Sequence, residues 1–210
     1  MFISIDGGDG SGKGVQIEFL KEWLDEQGLE SVFVRDPGDT PLGDRIRNIL
    51  LKDPNVEICP KAEAALFMAS RAQLVHEKIR PALTSGKVVL VDRFLLSTVV
   101  YQGFASGASD EEIAELWKIG TVFTQGILPD LTFILDCPVE ECNKRLNRAK
   151  DRIESKGLEY HARVAEGYRQ AAIVWKKNAP GEVFLIDGTP APEAVFKKIK
   201  GILQTRLNRN

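Results

Sequence analysis

The chain has 210 residues, 43% of them hydrophobic, and its 28 Lys and Arg nearly balance 30 Asp and Glu for a formal net charge of −2. That length suffices for one core that buries roughly 70% of the unfolded surface, and the charge balance excludes a general attraction to nucleic acid or anionic membrane. No 18-residue apolar span or secretion signal appears, and Cys59, Cys137 and Cys142 form no C-x-x-C pair, so reduced structural thiols in a cytoplasmic protein are expected.

The first strand is read at 2–6 (FISID) and runs into the glycine loop GGDGSGKG. A helix comes next, with Val15, Phe19, Leu20, Trp23 and Leu24 on one face and Gly28 as its stop. Further strands are expected at 31–35, 88–92, 131–136 and 183–187. Helical patterns fall at 41–51, 60–84, 94–103, 109–127, 138–146, 157–178 and 191–206, with Pro37, Pro54, Pro60 and Pro138 as breaks or starts. Continuous apolar strands alternating with helices imply an α/β domain over 1–210 whose parallel sheet is covered on both faces.

Gly7, Gly8, Asp9, Gly10, Ser11, Gly12 and Lys13 stand between the first strand and first helix, the context that makes a phosphate loop. Glycines let backbone N–H groups point at phosphate oxygens, the helix N-terminus adds its dipole, and Lys13 can reach the β- and γ-phosphates. The usual next residue is Ser or Thr, a Mg²⁺ ligand, but here it is Gly14. Asp92 and Arg93 end the third strand at the carboxyl edge of the sheet, where open α/β folds bind ligands. Such an Asp can organise metal-bound water, and such an Arg can clamp phosphate oxygens. Arg35 and Asp36 end the second strand similarly. Phe67 and Arg71, four apart on one helical face, suit a planar base, with Ser97, Tyr101 and Gln102 nearby in sequence. The run 144–157 (KRLNRAKDRIESKG) is either a solvated basic helix face or a basic lid that closes over phosphates.

With RDPGDTPLGDRIRNILL, AALFMASRAQLV, DRFLLSTVVYQG, LPDLTFILD, DRIE and IDGTPAPEAV in this order, the chain resembles bacterial thymidylate kinases along essentially its whole length. The resemblance implies a three-layer P-loop kinase fold with a five-stranded parallel sheet of order 2-3-1-4-5. It further implies γ-phosphoryl transfer from ATP to dTMP with Mg²⁺, in a homodimer. Lys13 and the loop residues through Gly14 would hold the ATP phosphates. Asp9 would lie beside acceptor and metal, and Asp92 would organise Mg²⁺ through water. Arg93 and Arg35 would hold the acceptor phosphate, with Asp36 beside them. Phe67 would stack on thymine, Arg71 would bond its O4, and Gln102 would face the base edge, with Ser97 and Tyr101 alongside. Arg152, with Arg148, would meet the transferring phosphate from the lid, and Asp187, Gly188 and Thr189 would border adenine. Some relatives carry an arginine at the position of Gly10, whereas those with glycine there have a basic lid.

This chain departs from the family at Gly14, at Asp39, where a second glycine is usual, and at Phe94. Asp39 could repel the acceptor phosphate or pair with an arginine such as Arg35. Two rival functions stand beside the family's: a kinase for another nucleoside monophosphate or deoxynucleoside, and a nucleotide-binding protein without catalysis. A regulatory GTPase is disfavoured because the N-K-x-D signature is missing; NKRL at 143–146 ends in leucine.

Overall fold

The computed structural model describes residues 1–53, 56–146, 151–178 and 181–207. Strands β1 (Phe2–Gly7), β2 (Ser31–Arg35), β3 (Val88–Asp92), β4 (Leu131–Asp136) and β5 (Glu182–Asp187) form one parallel sheet in the order β2-β3-β1-β4-β5. β1 is buried throughout, and its Ile3 is paired with Leu90 of β3 and Leu131 of β4. A central strand covered on both faces is expected to be mostly apolar, and β1 is so apart from Ser4 and Asp6, which are buried as well. At the edges that coverage fails. In β2, Phe33 is 37% exposed and carries the Lys21 ammonium 5.3 Å above its ring, and in β5 only Val183 and Ile186 are buried. Each edge strand has a strand neighbour on one side only.

On one face of the sheet, Ile17, Leu20 and Leu24 of α1 (Lys13–Glu26) and Ile199 and Leu203 of α9 (Pro192–Leu207) pack against Ile3, Ile5 and Phe133. Val15, expected on that face, is 45% exposed, and Gln16 and Ile17 are buried in its stead. The first turn of α1 opens onto the cavity above the sheet, so apolar packing begins later in the helix. On the other face, Leu74, Val75 and Ile79 cover Phe2, Val89 and Val91, while Val164 and Tyr168 of α8 (Leu158–Asn178) cover Val100 and Ile134.

The helix expected over 60–84 is α3 (Pro60–Leu74), a π turn at Val75–Ile79 and α4 (Arg80–Thr84). Pro81 has no N–H to extend an α-helical ladder, and the chain instead makes a wider turn closed by Arg80 N–H donating to Val75 O. α2 (Pro41–Leu51) starts at Thr40, whose hydroxyl accepts from Gly43 N–H at 2.9 Å. The segment expected as a helix over 94–103 is α5 (Leu95–Thr98) and a second π turn, Val99–Gly103. A π turn rotates the downstream side chains by one residue position and is frequent at functional sites; this one carries Tyr101 and Gln102. α6 (Asp110–Phe123) begins with a Ser109–Glu112 capping box, and α7 (Val139–Arg145) comes after β4. All three cysteines are free. Cys137 and Cys142 are buried around the start of α7, as structural thiols would be, but Cys59 is exposed at the start of α3. Pro54 and Arg148 lie outside the described residues.

Candidate active site

The carboxyl ends of β1, β2 and β3 converge on a cavity of about 670 Å³, the size of a small-molecule site. Its floor is the loop between β1 and α1. Gly12 caps α1 with φ 97° and no side-chain acceptor, so the amides of the first helical turn keep their hydrogens for a bound anion. Lys13 is folded onto the loop, Nζ donating to Gly8 O at 2.8 Å and Gly7 O at 3.1 Å. Burial lowers its pKa, and Arg93 acts in the same direction against the opposing pull of Asp9 and Asp92. Gly10 and Gly14, both in the phosphate loop, have unlike surroundings. A Cβ on Gly10 (φ 82°) would sit 2.2 Å from the backbone oxygen of Cys142, so α7 leaves no room for an arginine there. A Cβ on Gly14 would meet nothing within 4 Å, so the missing hydroxyl is not a steric requirement.

Above the loop, Arg93 Nη2 bonds Asp9 Oδ1 at 2.5 Å while Nη1 reaches Gly7 O at 2.8 Å and Tyr168 OH at 3.0 Å. Tyr101 OH donates to Asp9 Oδ2 at 3.0 Å, and its ring lies 5.0 Å under the guanidinium. Arg93 adopts φ 66°, a left-handed conformation that a non-glycine residue holds only when its surroundings fix it. Burial opposes ionisation of Asp9, but the Arg93 and Lys13 charges prevail and hold its carboxyl well below the usual range. Ser97 is part of the support: its hydroxyl donates to Asp6 Oδ1 at 2.6 Å and lies 2.7 Å from Tyr168 OH. The sequence pattern did not single out Asp6 or Tyr168, since a buried acid in a strand and a tyrosine in a helix carry no motif.

Of the two acids expected to handle metal, Asp9 has both oxygens engaged, whereas Asp92 Oδ1 is buried without a hydrogen-bond partner among the described residues, as is Ser11 Oγ. Among the described residues no group of three or more His, Cys, Asp or Glu could hold a metal by itself. One carboxylate beside a phosphate cradle is the donor set that suits Mg²⁺, which keeps several waters and takes phosphate oxygens.

Arg35 lines the same cavity with a buried Nε that lacks a partner among the described residues. Asp39 pairs with it: the Arg35 N–H donates to Asp39 Oδ2 at 2.6 Å, and Nη2 lies 3.5 Å from Oδ1. Asp39 sits at φ 60°, the conformation the usual glycine would take. Arg47, an unforeseen cation, also lines the cavity, Nη1 donating to Pro37 O at 2.7 Å; its place within the 11-residue amphipathic helix α2 gave no sign of it.

Toward α3 the lining changes character. Phe67 and Arg71 both face the cavity. Arg71 is 2% exposed, with Nε on Asp36 Oδ2 at 2.5 Å and Nη2 on Thr98 Oγ1 at 2.8 Å, while Nη1 has no partner among the described residues. Burial nonetheless pushes the Asp36 carboxyl up, against the pull of Arg71. Gln102 also lines this end, its Nε2 donating to Glu63 Oε1 at 2.8 Å.

At the opposite end, Gly188 and Thr189 line the cavity beside Arg145, whose Nη1 donates to Gly188 O at 3.0 Å. Arg145 belongs to the basic run, but its placement was not legible from charge alone. Asp187 is exposed and shapes the turn by accepting from Thr189 N–H at 2.9 Å and Oγ1–H at 2.6 Å. Arg152, expected at the transferring phosphate, is held instead against α2 and α3: Nε donates to Leu50 O at 2.7 Å and Nη2 to Glu63 Oε2 at 2.6 Å. The buried Glu63 carboxylate attracts it there.

A model of the thymidylate kinase family matches residues 5–199. Thymidylate kinase of Thermoanaerobacter sp. is 43% identical over 207 residues, covering 98% of either chain, and that of Kosmotoga olearia is 42% identical over 201 residues, covering 95% of this chain and 93% of its own. The crystal structure of thymidylate kinase from Ehrlichia chaffeensis superposes with a TM-score of 0.74 at 29% identity, covering 97% of this chain and 98% of that one. With the sheet order, the phosphate loop and these matches in agreement, the chain belongs to the thymidylate kinase family of P-loop nucleotide kinases.

Proposed function

We infer that the cavity transfers the γ-phosphoryl of ATP to dTMP, giving ADP and dTDP. The observation that carries this reading is the cavity's division into a cationic phosphate end and a base end lined by Phe67 and Arg71, whose Nη1 is a donor with no partner among the described residues. A ring for stacking and a buried donor for a carbonyl suit a pyrimidine with an oxygen at C4.

The attacking oxygen belongs to the acceptor's own phosphate, so the protein supplies position, charge and exclusion of water. The first-turn amides of α1 and Lys13 hold the donor phosphates; Lys13 must leave the Gly7 and Gly8 carbonyls to do so. Arg93, pre-set by Asp9 and Tyr168, and Arg35 face the acceptor phosphate. Arg145 lies against the Gly188–Thr189 turn, where its planar guanidinium can stack on the donor base. Mg²⁺ would be held by Asp92 through water and by the nucleotide, with Ser11 as a further oxygen, and when bound it neutralises charge on the transferring phosphoryl.

We place the enzyme in the cytoplasm as a homodimer. No described helix is long and apolar enough to cross a membrane. Ile119, Val122 and Phe123 form one face of α6 and are 48%, 71% and 39% exposed, an apolar stripe that a second copy can bury. Sedimentation of Val122→Lys tests it: a monomer is expected, and an unchanged dimer rejects this face.

An ADP-release assay with ATP, Mg²⁺ and dTMP tests the activity. Turnover is expected; tight nucleotide binding without turnover at saturating Mg²⁺ would establish the inert binder.

A further inference from the structure

Glu63 lies in the first turn of α3, outside the motifs that carry the family resemblance, yet three donors from two other segments converge on it. Gln102 Nε2 bonds Oε1 at 2.8 Å, Arg152 Nη2 bonds Oε2 at 2.6 Å, and Lys156 Nζ lies 3.2 Å from Oε1. Its side chain is 5% exposed. Burial opposes ionisation, but the hydrogen bonds from Gln102 and Arg152 and the charges of Lys156 and Arg152 outweigh it and pull the carboxyl below its ordinary value. Glu63 is therefore a carboxylate at neutral pH, and a carboxylate only accepts hydrogen bonds.

That fixes the orientation of the Gln102 amide. An amide can present either its oxygen or its NH2 to a ligand, and the two ends are nearly equal in shape. Because the NH2 must face Glu63, the oxygen is the end left for the cavity that Gln102 lines. We propose that Glu63 is a positioning residue for base selection: it locks Gln102 with its carbonyl oxygen toward the base edge, so the site takes an imide N3–H, as in thymine or uracil, and rejects the bare N3 acceptor of cytosine. The inference rests on the base end assigned under the proposed function. The same carboxylate fastens the 151–156 segment through Arg152 and Lys156, so base recognition and the seating of that segment share one anchor.

The decisive variant is Glu63→Gln, which preserves shape. Its new side-chain oxygen stays with Arg152 and with Lys156, whose Nζ is already 3.4 Å from that position, since an NH2 cannot face a guanidinium or an ammonium, and its NH2 falls toward Gln102. Gln102 must then turn its oxygen to residue 63 and its own NH2 to the cavity. The experiment compares kcat/KM for dUMP and dCMP, which differ only at the base edge, in the wild type, Glu63→Gln, Gln102→Ala and the double variant, with dTMP as reference. Glu63→Gln is expected to lower the dUMP-to-dCMP ratio by roughly 10- to 100-fold, the effect of one reversed buried hydrogen bond. The change should fall mainly on the nucleotide KM, leaving the ATP KM unchanged, and Gln102→Ala should abolish the response to Glu63→Gln. Equal losses for dUMP and dCMP with a lowered Tm, or additive effects in the double variant, would overturn the proposal and leave Glu63 a structural anchor. A wild type that turns over no dTMP would overturn the proposed function itself, a separate outcome.

Discussion

The two ends of the cavity are built on different physical plans. The phosphate end is local: residues 7–14 supply a strand end, a turn and a helix N-terminus in succession, and backbone amides do much of the binding. The base end is assembled from α3, the π turn after α5 and the 151–156 segment, joined by side-chain hydrogen bonds onto Asp36 and Glu63. Phosphate is recognised by charge and dipole, which tolerate small displacements. A base edge is recognised by donor and acceptor order, which needs buried, fully oriented partners. One plan is written in a short stretch of chain, and the other only in the folded molecule.

Variants separate the two ends. The largest effects are expected at the phosphate end: Arg93→Ala should lower kcat by about 10³-fold and Lys13→Ala by about 10²-fold or more, measured by coupled assay. Arg93→Ala also leaves Asp9 partly buried without its counter-charge and should cost about 2 kcal/mol in urea unfolding, small enough for the fold to persist. Turnover equal to wild type in either variant would break the assignment. At the base end, Phe67→Ala should raise the KM for dTMP by roughly 10-fold through lost stacking and spare that for ATP. An effect confined to ATP would mean the two ends are exchanged.

A pH series sharpens the contrast. Asp9 has a folded pKa below the ordinary 3.8, so the folded protein holds fewer protons than the unfolded chain. Its stabilisation is complete above that ordinary value and is lost as pH falls toward the folded one. Unfolding free energy should therefore decline below about pH 4, and Asp9→Asn should flatten that decline; an identical slope removes Asp9 from the account. Smaller effects are expected where this chain departs from its family. Gly14→Thr has room for its side chain and should lower the Mg²⁺ concentration for half-maximal turnover, whereas an unchanged requirement shows that the missing hydroxyl does not limit metal use. Asp39→Gly removes a partly exposed ion pair worth under about 1 kcal/mol together with the acceptor of the Arg35 N–H, and should change the KM for dTMP no more than about twofold.

The sequence made the sheet order legible only through resemblance, but the strands themselves were plain because apolar runs such as VVLVD stand between turn residues. Helix facing was less secure where function intrudes: Val15 belongs to the cavity rather than to the core, and Pro81 forces a π turn inside an expected continuous helix. Within the site, Lys13, Phe67, Arg71 and Arg93 could be singled out because their types and spacing declare a chemistry. Asp6, Glu63 and Tyr168 could not, since their work is to orient other side chains through contacts 39 to 91 residues away. Arg152 shows the converse: a motif named it, and a buried carboxylate decided where it lies.

The central claim is that the base end selects thymidylate, and an acceptor panel tests it most directly. With ATP and Mg²⁺ fixed, kcat/KM is measured for dTMP, dUMP, UMP, CMP, AMP and thymidine. The highest value is expected for dTMP, with dUMP next among the monophosphates and CMP and AMP far below; a preference for any other acceptor would contradict the account.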